Sequence, residues 1–148
     1  MNIQCLDVTI NDNDLNNVIG RHMPANRKLS NIRAALQDDH LVFSGRIKLL
    51  LSVDFEASFR VTHTATEIVA QLVKIQPMSA ITGQFKTQIL KKIVEVAPFA
   101  HLDPEQDSIR IPINDVMQNY DLTSRLYVED LTLEKNLLSL KLRGSIHL

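Results

Sequence analysis

Every second residue from Leu41 to Val61 is apolar or glycine, and most of the residues between them are polar. A period of two is typical of a β-strand, because successive side chains of a strand point to opposite faces. A strand with one apolar face and one polar face is typical of an antiparallel sheet. A single strand of this length would reach about 70 Å, so we expect it to bend, coil or break. Gly45 is a candidate for the bend.

A hairpin return and an amphipathic helix are predicted after this run. The alternation stops at His63 to Glu67, and a strand-like segment rich in β-branched residues resumes at Ile68 to Ile75. That pattern predicts a hairpin. From Ser79 to Ala97 the spacing becomes helical, with apolar residues at successive i, i+4 positions. These residues are Ile81, Phe85, Ile89 and Ile93.

Two distant segments, at about 3–47 and 109–147, resemble each other. Each reads as a strand, a short helix and two further strands. Ile10 matches Ile111, and the Asn13-Asp14 pair, which suits a helix start, matches Asn114-Asp115. We therefore predict a strand, helix, strand, strand unit used twice, with a chance resemblance as the alternative. No linker divides the chain, so we expect one domain over 1–148.

Composition narrows the classes of function. With 16 basic and 17 acidic residues the chain has no overall field that would hold a polyanion, so we predict no nucleic-acid partner. Cys5 is the only cysteine, which excludes an internal disulfide and a thiolate metal cage. Nothing basic flanks Cys5, so we expect a buried structural thiol in the first strand.

No pattern that carries reaction chemistry is found. The five histidines lie far apart, without the i, i+4 spacing of metal ligands. A nucleophile-elbow glycine pattern and a phosphate-binding glycine loop are both missing. We therefore predict no enzyme, no cofactor and no metal. The remaining enzymatic alternative is an acid and base pair that converges in space from Asp54, Glu56, His63 or Glu67.

The N-terminal residues Met1 to Ile10 do not read as a secretory signal, which favours a cytoplasmic location. No stretch of about 18 consecutive apolar residues occurs, so we expect no transmembrane segment. Contact with a membrane would then be peripheral.

Three parts of the chain together resemble a tubular lipid-binding (TULIP) domain, of the superfamily that includes bactericidal/permeability-increasing protein. They are the alternating run Leu41 to Val61, the helix Ser79 to Ala97 and the tail Val128 to Ile146, where Leu131, Leu133, Leu140 and Leu142 continue the pattern. The resemblance implies an α+β fold in which a long, strongly curved antiparallel sheet wraps one long amphipathic helix, with two short helices beside it. It also implies an elongated apolar groove that binds acyl chains.

Two functions follow as expectations. The first is binding of a hydrophobic ligand, in particular a lipid, between the sheet and the helix. Its site would consist of Leu49, Leu51, Val53, Phe55 and Phe59 on the strand and of Phe85, Ile89 and Ile93 on the helix. The alternative is a structural or protein-interaction module with a filled core, in which an exposed sheet edge or apolar face pairs with a second copy as a homodimer.

Overall fold

A computed structural model of the chain describes residues 1–22, 29–48, 52–76, 83–95 and 99–147. The described part is mainly β-structure with three helices. In chain order the elements are β1 (Asn2–Ile10), α1 (Asp12–His22), β2 (Leu29–Gln37), β3 (His40–Lys48), β4 (Ser52–His63), β5 (Glu67–Gln76), α2 (Gly83–Glu95), β6 (His101–Asp103), β7 (Ser108–Pro112), α3 (Ile113–Gln118), β8 (Thr123–Glu134) and β9 (Leu137–His147).

The strands form two antiparallel sheets. The smaller sheet has three strands in the order β1-β9-β8, and the larger has six in the order β2-β3-β4-β5-β7-β6. The first strand of the chain therefore pairs with the last strand, β9. Joining the two ends of the chain in one sheet ties the N-terminal segment into the fold.

The alternating run Leu41 to Val61 is a hairpin rather than one long strand. Its two arms, β3 and β4, pair in antiparallel register from His40 opposite Arg60 to Lys48 opposite Ser52. The connection falls at 49–51, outside the described residues. Gly45 lies in regular register opposite Phe55, so the predicted bend there is wrong. A side chain at Gly45 would instead overlap the end of Ile32, beside a bulge in β2.

The prediction of a curved sheet that wraps one long helix is wrong. The sheet is divided in two, and the described helices have 11, 13 and 6 residues. Helix α2 is the described part of the predicted helix. At 1.5 Å per residue its 13 residues span about 20 Å, which is too short for a long sheet to wrap around. The predicted ends, Ser79 and Ala97, lie outside the described residues. The coarser prediction of an α+β protein with antiparallel sheets is confirmed.

Each sheet buries one face against its own helices. Apolar residues of β3, β4 and β5 pack with Ile89, Leu90 and Ile93 of α2 and with Ile19 of α1. In the smaller sheet, leucines of β8 and β9 pack with Ile113 of α3. A third cluster, which includes Leu36, Leu133 and Leu138, joins the two sheets. The apolar faces of both sheets therefore belong to adjoining cores.

The two segments of the predicted repeat have the same order of elements. The first is β1, α1, β2 and β3, and the second is β7, α3, β8 and β9. Their helix starts differ. Asn11 and Asp14 exchange side-chain to backbone hydrogen bonds of 2.9 and 3.0 Å at the start of α1, whereas α3 follows Pro112 with no side-chain cap. The repeat and the single domain stay predictions.

Candidate functional site

The described residues of the predicted apolar groove belong to or pack against one buried core cluster. Phe55, Phe59, Ile89 and Ile93 are between 0% and 4% exposed and belong to one cluster, and Val53 packs against it. Of the other predicted site residues, Leu49 and Leu51 lie outside the described part, as does the side chain of Phe85. The side chains of β4 and α2 that the structure brings together therefore pack against one another.

A cavity of about 850 Å³ lies against the polar face of the β3 and β4 hairpin. Ser44, Arg46, Asp54 and Glu56, which alternate with buried residues, contribute to its lining. Arg46 Nε donates a 2.9 Å hydrogen bond to Asp54 Oδ1. This bond, and then the charge of the carboxylate, raises the pKa of the Arg46 guanidinium. Phe55 and Gly45 also contribute to the lining, so polar and apolar groups are mixed at this place.

The four sheet edges differ in how their backbone groups are bonded. The edges are β1 and β8 in the smaller sheet and β2 and β6 in the larger. An edge strand presents unpaired N–H and C=O groups that a strand from another chain can bind, so proteins usually cover or interrupt it. Of these edges β6 is short, with only 3 residues.

The outer edge of β2 is closed by side chains of α1 and by a distant turn. Asn16 donates from Nδ2 to the Ala34 carbonyl at 2.9 Å, and its Oδ1 accepts from the Ala34 N–H at 2.8 Å. Two residues along, Asp12 Oδ1 accepts from the Leu36 N–H at 2.8 Å. The Leu36 carbonyl accepts from the Asn136 N–H at 2.9 Å. Both backbone groups of Ala34 and Leu36 are thus occupied.

The outer edge of β8 is closed in the same manner. Asn114 of α3 accepts from the Leu126 N–H at 2.8 Å and donates to the Leu126 carbonyl at 3.3 Å. The Val128 N–H donates to the carbonyl of Ala65, in the turn between β4 and β5, at 2.8 Å. A helix asparagine therefore occupies both backbone groups of one edge residue in each sheet.

Strand β1 is the long edge without such a cover. It has 9 residues, and its strand neighbour in the described structure is β9 alone. No described side chain or loop makes a hydrogen bond to its outer edge. Met1 exchanges backbone bonds with Ile146 of β9, on the paired side. The outer backbone groups of β1 are therefore free to pair within the part of the chain that is described.

The two faces of β1 differ in burial. Leu6, Val8 and Ile10 are half-buried and lie opposite buried leucines of β9, whereas Asp7 and Thr9 are exposed. The register shifts between Ile3 and Leu6, so the regular part of the strand runs from Leu6 to Ile10. Cys5 lies at the irregular part and is exposed, so the prediction of a buried thiol is wrong.

The residues that close the edges were not among the predicted site residues. Asn114 was interpreted as part of a helix start; it is the second residue of α3, and its side chain bonds to β8. Asn16 stands beside Leu15 on the half-buried side of α1. An amide on the apolar side of an amphipathic helix needs a buried partner, and that signal was available in the sequence.

Within the described ranges, no group of three or more His, Cys, Asp or Glu side chains converges as a metal site. None of the helices in those ranges is long and apolar enough to span a bilayer.

Neither a family model, nor a curated protein, nor a solved structure matches this chain. These comparisons do not bear on the resemblance to TULIP domains. Within the described residues, the fold is a two-sheet α+β arrangement in which helix side chains bond to two edges and one long edge is open. The outer edge of β1 is the candidate functional site.

Proposed function

We propose that this chain is a non-catalytic protein-interaction module that docks a partner strand along the outer edge of β1. The observation that carries the proposal is the contrast between edges. Helix side chains and turns occupy outer backbone groups at Ala34 and Leu36 of β2 and at Leu126 and Val128 of β8, while no described group bonds to the outer edge of β1. Strand addition at an open edge is a general mode of recognition, in which main-chain hydrogen bonds supply affinity.

The composition of β1 also supports strand addition. Edge strands that avoid pairing usually contain lysine, proline, an inward-pointing charge or a β-bulge. The bulge of β1 lies between Ile3 and Leu6, and its regular part, Leu6 to Ile10, contains none of these devices; the one charged residue there is Asp7, on the exposed face. Its half-buried residues Leu6, Val8 and Ile10 would continue the apolar face of the smaller sheet onto an added strand. A partner strand with apolar residues at alternate positions would extend that core.

The test uses a fluorescent peptide of alternating valine and threonine with one lysine placed to face Asp7. We expect its anisotropy to rise on addition of the protein and the amide hydrogen exchange of β1 to slow. Exchange in β2 should stay unchanged, since its edge is already bonded. A control peptide with prolines at alternate positions lacks the N–H donors and should not bind. Equal binding of both peptides, or unchanged exchange in β1, would contradict the proposal.

A hydrophobic ligand, in particular a lipid, is the second candidate. Its support is Val53, a predicted site residue that is only partly buried while Phe55 and Phe59 of the same strand are buried. Val61 at the other end of β4 is also partly buried, so the apolar layer is less covered at both ends of the strand. Native mass spectrometry of the purified protein, followed by organic extraction, would test it. We expect a stoichiometric acyl-chain species if the ligand binds, and its absence would favour a core filled by side chains.

A further inference from the structure

We infer that the strand docked on β1 is the β1 strand of a second copy of this chain, antiparallel and centred on Val8. This inference rests on the proposed function and names its partner. A two-fold symmetric pair closes the open edge of both copies with a single contact, because the same surface is used twice. The two smaller sheets, each of three strands, would join into one continuous sheet.

The faces of β1 limit the register of this pairing. A two-fold axis perpendicular to the sheet keeps the apolar faces of both copies on the same side. Leu6, Val8 and Ile10 must then lie opposite one another, because a shift by one residue would put each apolar side chain opposite a polar one. The regular part, Leu6 to Ile10, has Val8 at its middle. Centring there pairs the whole regular part and leaves out the bulge.

Charge selects the same register. With Val8 opposite the partner's Val8, Leu6 lies opposite the partner's Ile10, and Asp7 lies opposite the partner's Thr9. Two neighbouring registers also keep the faces matched. The one centred on Asp7 places Asp7 opposite the partner's Asp7, and the one centred on Thr9 places Leu6 opposite the partner's Asp12, beyond the end of β1. Like charges directly opposite each other across strands are destabilising. The register centred on Val8 therefore matches apolar with apolar residues and opposes no like charges.

A pair of substitutions at one exposed position tests the register. Thr9→Lys would place an ammonium opposite the partner's Asp7, while Thr9→Asp would place a carboxylate there, and symmetry doubles either effect. On β9 the position opposite Thr9 is Ser139, so neither substitution meets a charge directly opposite within its own subunit. By sedimentation velocity we expect the Thr9→Asp dimer to dissociate at least about tenfold more readily than the Thr9→Lys dimer.

The lone cysteine provides an independent distance. Cys5 is exposed and is the only cysteine, so a nitroxide label can be attached without further substitution. In the register centred on Val8 the two Cys5 residues are separated by about 20 Å along the strands. A register centred on Leu6 would bring them within about 7 Å. Double electron–electron resonance should measure the longer separation, and the nitroxide side chains will add to the distance between the two spins.

The outcomes separate the inference from the proposed function. A wild-type dimer that Thr9→Asp weakens and Thr9→Lys keeps would support the inference. A dimer that responds equally to both substitutions, or a strict monomer at high concentration, would overturn it. If the chain is a monomer and the valine and threonine peptide still binds β1, the proposed function stands with another partner. If that peptide also fails to bind, both are wrong.

Discussion

Asparagine closes a strand edge because its side-chain amide has the same donor and acceptor as a peptide group. Asn16 presents both atoms to Ala34, and Asn114 presents both to Leu126. Each asparagine side chain therefore makes the two hydrogen bonds that a residue of a neighbouring strand would make. An aspartate in its place can accept from the N–H but cannot donate to the carbonyl.

Asn16→Ala should lower the free energy of unfolding by about 1–3 kcal/mol, because it leaves the part-buried Ala34 N–H and C=O unbonded. Asn17→Ala is the matched control, since Asn17 is an exposed neighbour in the same helix. It should change stability by less than about 0.5 kcal/mol. Urea unfolding monitored by circular dichroism measures both. Equal losses for the two variants would show that the bonds to Ala34 do not matter.

At the scale of elements, parity explains why the alternation alone did not locate the break in the run Leu41 to Val61. Residues that face each other in the β3 and β4 hairpin, such as Leu41 and Phe59 or Ile47 and Val53, are both odd-numbered. The odd positions of both arms therefore lie on one face, and a reversal of the chain leaves the alternation unbroken. Period-two patterning records the face of a residue and not the direction of its strand.

The turns of two hairpins, which belong to different sheets, bond to each other in a reciprocal way. Asp39 donates its N–H to the Leu133 carbonyl at 3.3 Å, and Asn136 donates its N–H to the Leu36 carbonyl at 2.9 Å. The same number of residues separates Asp39 from Asn136 and Leu36 from Leu133. Both turn residues have φ of 62°. These contacts support an approximate two-fold relation between the two hairpins of the predicted repeat.

This junction can be weakened by a single substitution. Asn136→Ala should lower the free energy of unfolding by about 1–2 kcal/mol, because alanine is strained at positive φ and the hydrogen bond that the Asp12 N–H donates to Asn136 Oδ1 is lost. Asn136→Gly loses the same bond without the backbone strain, so it should cost less. Thermal unfolding compares the two. A larger loss for glycine than for alanine would show that φ is not the limiting factor.

At the scale of the whole molecule, the open edge of β1 follows from the connection of the chain. β1 joins the smaller sheet beside β9, the last described strand, whereas the helix that follows β1 bonds to the edge of β2 in the larger sheet. Helix α1 is used to close β2, and α3 is used to close β8. Neither is placed to cover β1. A second copy would supply the cover, and it would convert two small sheets into one larger sheet.

The sequence by itself determined the local features of this protein. Alternation predicted the strands and their buried faces, and the interruption at His63 to Glu67 falls between β4 and β5 as predicted. The candidate functional site was harder to predict from the sequence. The predicted groove residues that the structure describes pack into the core, and no sequence pattern assigned the open edge to β1. The strands and their buried faces could be predicted because they depend on side chains within a few positions of one another in the sequence.

Only the tertiary structure decided the strand order, the division into two sheets and the choice of edges that are closed. Those properties depend on contacts between distant residues, such as Asn16 with Ala34 and Asp39 with Leu133. The same reason applies to Cys5. Alternation cannot show that a bulge between Ile3 and Leu6 shifts the register and leaves the thiol exposed. Whether a strand is central or at an edge is a property of its neighbours, and its own residues specify only its two faces.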